Sequence, residues 1–338
     1  MVNFVLSSVL HWRCITMFNA LGESEFRRYF KVMSEFDINI LGCGAATPSL
    51  RHLPSCQAVE YRGRVMIIDC GEGAQLSLRR QRLKFSRITD VFISHLHGDH
   101  FLGLPGLLST LSLHEVGGRV RIWCFEPGIR LMRQIMDMVS HETSFEIEYH
   151  ALNPAGGEVL IDDKRLTVST FRLYHRSVPC VGFRFDEKPK SRHINGEMVR
   201  FHGVPVCRIE SLRWGEDFVR EDGSVIANSL LTTEADPSRS YAYASDTSYD
   251  PRVAESVRGV DVLYHEATYC DDREAKAGER GHSTASQAAR IAAEAGVGQL
   301  VLGHFSKSYD SEEQHLIEAR AIFPNTIAAE EGMRIELI

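Results

Sequence analysis

Ile93-Ser94-His95-Leu96-His97-Gly98-Asp99-His100 is the stretch around which this sequence is organised, because it gathers three histidines and one aspartate into six residues. The segment before it, 88–93, is short, β-branched and aromatic, which predicts a buried strand that ends where the histidines begin. Imidazoles and a carboxylate packed together without a cation would compete for partners, so we interpret the run as part of a metal site. With no thiolate in the run, zinc is favoured, while manganese and iron remain possible.

The local geometry of the run suggests more than one ion. In an extended backbone the side chains alternate, so His95, His97 and Asp99 would point to one side and His100 to the other. One short segment would then supply two adjacent metal ions. Gly98 suits a sharp change of backbone direction between the ligands, and the apolar run 101–108 predicts a buried helix after them.

The composition is that of a soluble globular protein, with 43% hydrophobic and 25% charged residues in 338. A net charge of -7 excludes attraction to nucleic acid over the whole surface but leaves room for a local basic patch. The eight cysteines include no Cys-x-x-Cys pair, which favours reduced thiols in a cytosolic enzyme. We therefore expect a cytoplasmic location and no membrane partner.

The first residues differ from the rest. Residues 1–10 are apolar, but His11 and Arg13 interrupt the run and no basic region precedes it, so it makes a poor signal peptide and is too short to span a membrane. We predict that 1–32 is a poorly ordered, dispensable extension and that 33–338 is a single catalytic domain.

The remaining chain alternates short strands with helices, and early strands are joined by a hairpin at Arg62-Gly63. This order fits a layered α/β sandwich better than a doubly wound sheet. The pattern predicts strands at 36–41, 57–61, 65–69, 120–123, 145–149 and 166–173, and helices at 74–83 and 127–138.

Two metal ions need more ligands than one segment supplies, and three further candidates each follow an apolar strand. His175 follows 166–173, Asp246 follows 241–245 and His304 follows 300–303. Taken singly, each has an alternative explanation, because strands often end in Asp or His for turn formation. Together they form a set of ligand-type residues at strand ends.

The order His-x-His-x-Asp-His, then His, Asp and His, resembles the metallo-β-lactamase superfamily. The resemblance implies an α/β (α+β) fold, a four-layer αββα sandwich with a two-metal site on one edge. It implies two zinc ions per subunit. One would be held by His95, His97 and His175 and the other by Asp99, His100 and His304, with Asp246 bridging both.

Flanking motifs narrow the branch to one that resembles the ribonuclease Z family of tRNA 3′-processing endonucleases. They are 42–48 (Gly-Cys-Gly-Ala-Ala-Thr-Pro), 68–73 (Ile-Asp-Cys-Gly-Glu-Gly), 95–105, 265–268 (His-Glu-Ala-Thr), 281–284 (Gly-His-Ser-Thr) and 303–306 (Gly-His-Phe-Ser). This resemblance implies a zinc-dependent endoribonuclease that removes 3′ trailers from tRNA precursors by phosphodiester hydrolysis and leaves a 3′-hydroxyl on the tRNA. It also implies a homodimer.

Two alternatives remain at this stage. A phosphodiesterase or sulfatase of the same fold that acts on a small ester would share every metal ligand. A degenerate, non-catalytic member would bind RNA or a partner without cleaving it, although all seven expected ligands and His282 are present.

Charge favours a phosphodiester substrate. Two divalent cations are offset by only Asp99 and Asp246, so the centre stays positive towards an anionic substrate, and metal coordination lowers the pKa of water towards ~7. We predict Asp99, His282 and Glu266 as catalytic residues. His282 would protonate the leaving oxygen, and Glu266 would hold its tautomer. Alternatively, His282 merely caps the helix that opens at Thr284, where Gln287 completes a capping box.

RNA contacts are predicted at Arg51, Lys190 and Arg192. Arg51 lies where the family carries a basic loop, although Leu50 replaces a frequent lysine. Lys190 and Arg192 belong to an insertion at about 187–236 that aligns with the family's tRNA-binding arm. The insertion lacks the arm's Gly- and Pro-rich tip and interleaves acids with its bases, so solvated charge is an equal interpretation.

Overall fold

Two seven-stranded sheets packed face to face form the centre of the computed structural model, which describes residues 35–140 and 142–337. The extension predicted over 1–32 therefore lies outside the described residues. The strands are β1 (Phe36–Gly42), β2 (Cys56–Tyr61), β3 (Arg64–Cys70), β4 (Ile88–Phe92), β5 (Arg119–Cys124), β6 (Glu146–Ala151), β7 (Val159–Asp162), β8 (Leu166–Arg172), β9 (Val181–Glu187), β10 (His193–Ile194), β11 (Phe218–Val219), β12 (Val225–Ile226), β13 (Thr232–Thr233), β14 (Ser240–Ala244), β15 (Val262–Glu266), β16 (Gln299–Gly303), β17 (Thr326–Ala328) and β18 (Arg334–Glu336).

The first sheet has the order β18-β1-β2-β3-β4-β5-β6 and the second the order β17-β16-β15-β14-β9-β8-β7. Helices cover the outer faces, so the predicted αββα sandwich is confirmed. In the described ranges the α-helices are α1 (Ala74–Arg80), α2 (Gly98–Phe101), α3 (Leu104–Leu113), α4 (Glu126–Val139), α5 (Gly196–Phe201), α6 (Ile209–Arg213), α7 (Asn228–Leu231), α8 (Arg252–Ser256), α9 (Glu274–Arg280), α10 (Ala285–Ala295) and α11 (Glu313–Arg320). None of these helices is both long enough and apolar enough to cross a bilayer.

Alternation along the strands produces two separate cores. In β3, Met66 and Ile68 belong to the core that lies between the sheets, whereas Val65 and Ile67 pack with residues of α1, α3 and α4. Both sets are fully buried. A strand covered on both faces reads as continuously apolar, which is why β3 has no polar position between Val65 and Ile68.

The predicted hairpin is present between β2 and β3, which pair antiparallel with Tyr61 opposite Arg64. Its two turn residues, Arg62 and Gly63, both have positive φ, at 46° and 84°. This is the two-residue turn whose twist matches that of the flanking strands.

Close backbone packing at two glycines fixes the position of the His-x-His-x-Asp-His loop. A Cβ on Gly71 would lie 2.4 Å from the backbone oxygen of Asp99, and a Cβ on Gly103 would lie 2.1 Å from the backbone oxygen of Gly71. Only glycine permits such an approach. The end of β3 and the loop after β4 are therefore held in direct contact.

The insertion between β9 and β14 has a small core of its own. Val204, Leu212, Phe218 and Leu231 are buried together there, and two short strand pairs, β10 with β13 and β11 with β12, frame them. The insertion occupies the position at which we predicted the arm.

Candidate metal centre

The His-x-His-x-Asp-His run changes conformation halfway. His97 has extended dihedral angles and is the N-cap of α2, so Asp99 and His100 lie in a helical turn. The expectation that an extended backbone would point Asp99 to the side of His95 and His97 is wrong. The helical turn that begins at Gly98 instead redirects Asp99 and His100, while the ring centroids of His95 and His100 stay 4.2 Å apart.

A first cluster contains His95, His97, His175 and Asp246, whose candidate ligand atoms all lie within 4.8 Å of one another. His175 Nε2 is 3.2 Å from His97 Nδ1, and His95 Nε2 is 3.7 Å from Asp246 Oδ2. His97 is exposed and the other three are buried. The cluster therefore opens to solvent on the side of His97.

A second cluster contains Asp99, His100 and His304. Nε2 of both histidines lies close to Asp99 Oδ2, at 3.6 Å from His100 and 3.5 Å from His304. The same two nitrogens approach the other oxygen of Asp246, Oδ1, at 3.5 and 3.2 Å. Asp246 thus directs one carboxylate oxygen to each cluster.

The buried histidines each use one ring nitrogen for a fixed protein partner and direct the other inward. His175 Nδ1 lies 2.8 Å from the carbonyl oxygen of Gly281, and His304 Nδ1 lies 2.9 Å from Thr268 Oγ1. His100 Nδ1 lies 2.7 Å from an Asp69 carboxylate oxygen. Such outer contacts fix the tautomer and orientation of metal-ligating histidines.

Asp69 also belongs to the site. It lies in the motif at 68–73, but its sequence context predicted no role for it. Its buried carboxylate accepts hydrogen bonds from Ser94, His100 and the Tyr243 hydroxyl, all at 2.7–2.8 Å. An acidic residue after four apolar strand residues, two positions before Gly71, was the signal that could have indicated it. Asp69 anchors His100 to the sheet.

The motif at 42–48 acts on Asp99. Ala46 has a left-handed φ of 64°, and its backbone N–H donates to Asp99 Oδ2 at 2.7 Å. This loop therefore orients the carboxylate that the second cluster shares.

The electrostatics of the centre favour a cation. Burial opposes protonation of His100, but the carboxylates of Asp246, Asp69 and Asp99 outweigh it and raise the pKa of His100 well above its usual value. His95 behaves in the opposite way, since burial and the neighbouring His100 lower its pKa. Three carboxylates around buried imidazoles thus attract positive charge.

A metal ion also fits an unpartnered atom. His95 Nε2 is buried without a hydrogen-bond partner in the part of the chain that the structure describes. Leaving such an atom unpaired costs about 1–3 kcal/mol. Imidazole and carboxylate donors in this arrangement suit zinc or a similar divalent ion.

His282 and Glu266 form a pair beside both clusters. His282 Nδ1 lies 2.9 Å from Glu266 Oε1, and the His282 ring centroid lies 5.3 Å from that of His304. Burial disfavours the charged imidazolium, but the Glu266 carboxylate outweighs it and the pKa of His282 rises to about 9. Glu266 itself is buried and accepts further hydrogen bonds from Thr247 and Thr268.

The alternative that His282 caps the following helix is wrong. Thr284 is the N-cap of α10, its side chain accepts from the N–H of Gln287, and the predicted capping box is complete. His282 therefore does not cap α10. His265, next to Glu266, is buried in β15 and does not join either cluster.

The three predicted RNA-binding residues lie outside the clusters and already have partners. Arg51 contacts Glu312 and the carbonyl oxygen of Tyr309. Lys190 Nζ lies 2.8 Å from a Glu187 oxygen. Arg192 lies 2.8 Å from Glu234, and its Nε donates to Thr232. Their role in RNA binding stays a prediction.

Two further groups of ligand-type residues lie in the described part of the chain. One contains Asp246, Glu266, His282 and His304, and the other, Cys43, His52 and Glu331, was not predicted. Both ring nitrogens of His52 are paired, with Glu331 at 3.0 Å and Glu312 at 2.9 Å. Burial and the nearby Glu331 raise the pKa of the Cys43 thiol well above its usual value. A protonated thiol beside a fully paired imidazole forms a structural hydrogen-bond cluster, because metal ions bind the thiolate.

Comparison with known protein families agrees with the fold and the clusters. Residues 227–305 match a family described as the β-lactamase superfamily domain, and residues 36–187 match one described as anti-Pycsar protein Apyc1. Fold and site together define a metal-dependent hydrolase of the metallo-β-lactamase superfamily.

Similar proteins show to which family of this superfamily the chain belongs. The chain is 46% identical over 305 residues to "Ribonuclease Z" of Bacteroides fragilis and 41% identical over 305 residues to "Ribonuclease Z" of Porphyromonas gingivalis, covering 90% of this chain and 100% of each relative. The chain belongs to the ribonuclease Z family. Among solved structures, the short form of human tRNase Z aligns with a TM-score of 0.64 and 28% identity, over 89% of this chain and 99% of that chain.

Proposed function

We propose that this protein is a metal-dependent endoribonuclease that removes 3′ trailers from tRNA precursors. The observation that carries the proposal is the 46% identity to a ribonuclease Z over that relative's full length. The predicted ligands converge in two clusters joined by Asp246, which supports the same chemistry.

Two zinc ions are the cofactors that these residues suit. His95, His97 and His175 would hold one ion, Asp99, His100 and His304 the other, and Asp246 would bridge them through its two oxygens. Bound zinc supplies Lewis-acid chemistry, since it lowers the pKa of water and offsets the charge of a phosphodiester.

The protein's own groups supply the proton for the leaving group. Hydrolysis that leaves a 3′-hydroxyl on the tRNA requires a proton at the departing 3′ oxygen. Glu266 engages Nδ1 of His282, which leaves Nε2 to donate that proton. The raised pKa keeps His282 protonated at neutral pH, as a general acid must be.

The partners follow from the same proposal. The substrate is a tRNA precursor, the site of action is the cytoplasm, and a homodimer is the proposed assembly. Lys190 and Arg192 at the base of the insertion, and Arg51 in the loop after Ala46, are proposed RNA contacts that exchange a carboxylate for a phosphate when substrate binds.

A direct assay tests the function. The purified protein is incubated with a 3′-extended tRNA precursor and, separately, with bis(p-nitrophenyl) phosphate, each with and without chelator, and the cleaved end is mapped. We expect chelator-sensitive cleavage of the precursor that leaves a 3′-hydroxyl. Hydrolysis of the small ester alone would instead support a phosphodiesterase of the same fold.

A further inference from the structure

The strongest positive charge in the sequence is concentrated in the segment 79–87, Arg-Arg-Gln-Arg-Leu-Lys-Phe-Ser-Arg. It carries five cations, and the sequence has no acidic residue between Glu72 and Asp90. The whole protein, by contrast, has 45 acidic against 38 basic residues. We call residues 79–87 the basic segment.

The cations of the basic segment face solvent. Arg79, Arg80, Arg82 and Lys84 are exposed. Within the described part of the chain, the side chains of Arg80, Arg82 and Lys84 pair with no carboxylate, in contrast to Arg51, Lys190 and Arg192. Their charge is therefore available to a partner without the loss of an internal ion pair.

The backbone at Arg82 gives an independent reason to consider this surface functional. The N–H of Leu83 bonds the carbonyl of Leu78, and the N–H of Arg82 bonds that of Arg79, which is the Schellman arrangement at the end of α1. Arg82 occupies the left-handed position of this motif, with a φ of 59°. Glycine is the usual residue there because a side chain is strained. An arginine at this place presents charge at a conformational cost.

A groove in the same surface holds one guanidinium in place. Arg79 contacts the His114 ring, and its guanidinium carbon lies 5.4 Å from the centroid of the Phe85 ring. Arg82 and Ser86 line the same groove. A fixed guanidinium group beside a hydroxyl and an aromatic ring suits the phosphates and sugars of a nucleic acid.

Helix α1 connects the basic segment to the metal centre. It starts directly after Gly71–Gly73, and Gly71 packs against the backbone of Asp99. The segment then leads to the start of β4, where Ile88 pairs with Val65 near the β2–β3 hairpin, so Lys84 and Arg87 lie towards the edge of the sheet opposite the His-x-His-x-Asp-His run. This surface can therefore reach phosphates of a tRNA precursor that lie away from the cleaved bond.

We propose that the basic segment binds the phosphate backbone of the tRNA precursor, away from the cleaved bond. The proposal rests on the proposed function and adds a contact surface that lies in the catalytic domain, outside the insertion. Recognition of the tRNA is electrostatic and independent of base sequence, because exposed guanidinium and ammonium groups bind phosphates, which are the same at every nucleotide.

A matched pair of variants tests the proposal. In the full chain, the triple variant Arg80→Gln, Arg82→Gln, Lys84→Gln removes three charges from the basic segment. The control, Lys164→Gln, Arg258→Gln, Arg290→Gln, removes three exposed charges elsewhere. Affinity is measured for a mature tRNA transcript, which has no trailer to cleave, across a range of salt concentrations. Turnover of bis(p-nitrophenyl) phosphate reports the integrity of the centre.

We expect the triple variant to bind tRNA about 10-fold or more weakly, with a salt slope reduced by about 2, while the control retains wild-type affinity. Small-ester turnover should be unchanged in both. Equal affinities of the triple variant and the control for tRNA would overturn the proposal.

Two further measurements separate tRNA binding from folding, and the role of the basic segment from the proposed function. Arg82→Gly relieves the backbone strain, so it should fold at least as well as the wild type and still weaken tRNA binding; wild-type affinity in this variant and in the triple variant would refute the contact. Failure of the wild type to cleave a precursor would refute the proposed function, whereas the affinity comparison would still decide the role of the basic segment.

Discussion

At the scale of the residue, His282 is distinguished from the ligands by its partner. His282 Nδ1 lies 2.9 Å from Glu266 Oε1 and 3.9 Å from Asp246 Oδ2, so Glu266 is its nearer partner, whereas His304 Nε2 lies 3.2 Å from Asp246 Oδ1. A histidine so placed can move a proton without holding a metal ion.

We predict that His282→Ala lowers turnover of the tRNA precursor by about 10²-fold or more and leaves metal content unchanged. Turnover is measured under single-turnover conditions, and bound metal by elemental analysis. Thr284→Ala is the control, because it removes the cap of the same helix and costs about 1 kcal/mol of stability without touching His282. Equal loss of turnover in both variants would reduce His282 to a structural residue.

Asp69 gives a second prediction at this scale. Asp69→Asn weakens the acceptor of His100 Nδ1, and its amide group cannot accept from Ser94, His100 and Tyr243 together. Metal affinity should fall by about 10- to 100-fold, as measured by competition with a chromophoric chelator. Tyr243→Phe removes only one donor to Asp69 and should cause a smaller loss. Unchanged affinity in Asp69→Asn would contradict the anchoring role.

The ligand types were predictable from the sequence because each follows an apolar strand, and His175, Asp246 and His304 do converge with the first run. Asp69 and Ala46 were not assigned roles, since a single acid or alanine in a motif has no periodicity that reveals a contact 25–53 residues away. Contacts of that kind become visible only when the sheets are assembled.

At the scale of the element, the base of the insertion is held by a buried ion pair. Glu187 ends β9, and its carboxylate contacts Arg239 at 2.7 Å and Lys190 at 2.8 Å. Burial opposes ionisation, but hydrogen bonds from Arg239 and Lys190 outweigh it and lower the pKa of Glu187 to about 2.

Stability should therefore depend on the charge of Glu187. Because its folded pKa lies below the unfolded value of about 4.3, its contribution is complete above that pH and is lost as pH falls towards 2. We predict that Glu187→Gln lowers Tm by about 5 °C at pH 7 and that the difference shrinks below pH 4. Thermal unfolding of both proteins in chelator measures this. A difference that is constant with pH would exclude the ionised carboxylate as its cause.

At the end of α1, replacing either of two nearby arginines by glycine should change the stability of the protein in opposite directions. Arg82→Gly should raise stability by about 0.5–1 kcal/mol, since glycine accepts the left-handed conformation, although it gains freedom when unfolded. Arg80→Gly, in the last helical position, should lower it by about 1 kcal/mol. Denaturant midpoints compare the two, and destabilisation by Arg82→Gly would contradict the strain.

The helix boundaries show how accurately hydrophobic periodicity predicts where a helix begins and ends. The predicted helix 127–138 is Glu126–Val139, but the predicted helix 74–83 ends at Arg80. The difference arises because Arg82 terminates α1 in a conformation that sequence statistics assign to glycine. The helical turn at Gly98–Phe101 was missed for a similar reason, because four residues of ligand type have no hydrophobic period.

At the scale of the whole molecule, metal binding and stability are linked. The proposed buried ligands come from both sheets, so ions that bind the folded state alone would stabilise it by RT ln(1 + [L]/Kd), about 2.7 kcal/mol at 100 times Kd. We predict that zinc raises Tm of the chelator-treated protein by about 5 °C or more.

Two variants locate this effect. Asp246→Asn should abolish most of the zinc response, because Asp246 contacts both clusters. Cys43→Ser should retain it, because Cys43 belongs to the separate hydrogen-bonded group with His52 and Glu331. Loss of the zinc response in Cys43→Ser would indicate that zinc binds at the group of Cys43, His52 and Glu331 and would contradict the prediction.

The spread of the ligands along the chain also has a consequence for the protein during its synthesis. The centre begins at His95 but is completed only by His304, and the first sheet gains its β18 edge from residues 334–336. A nascent chain that has not yet reached His304 would therefore lack part of the second cluster. We expect no cleavage by such a chain, so that RNAs around the ribosome would not meet a partly made nuclease.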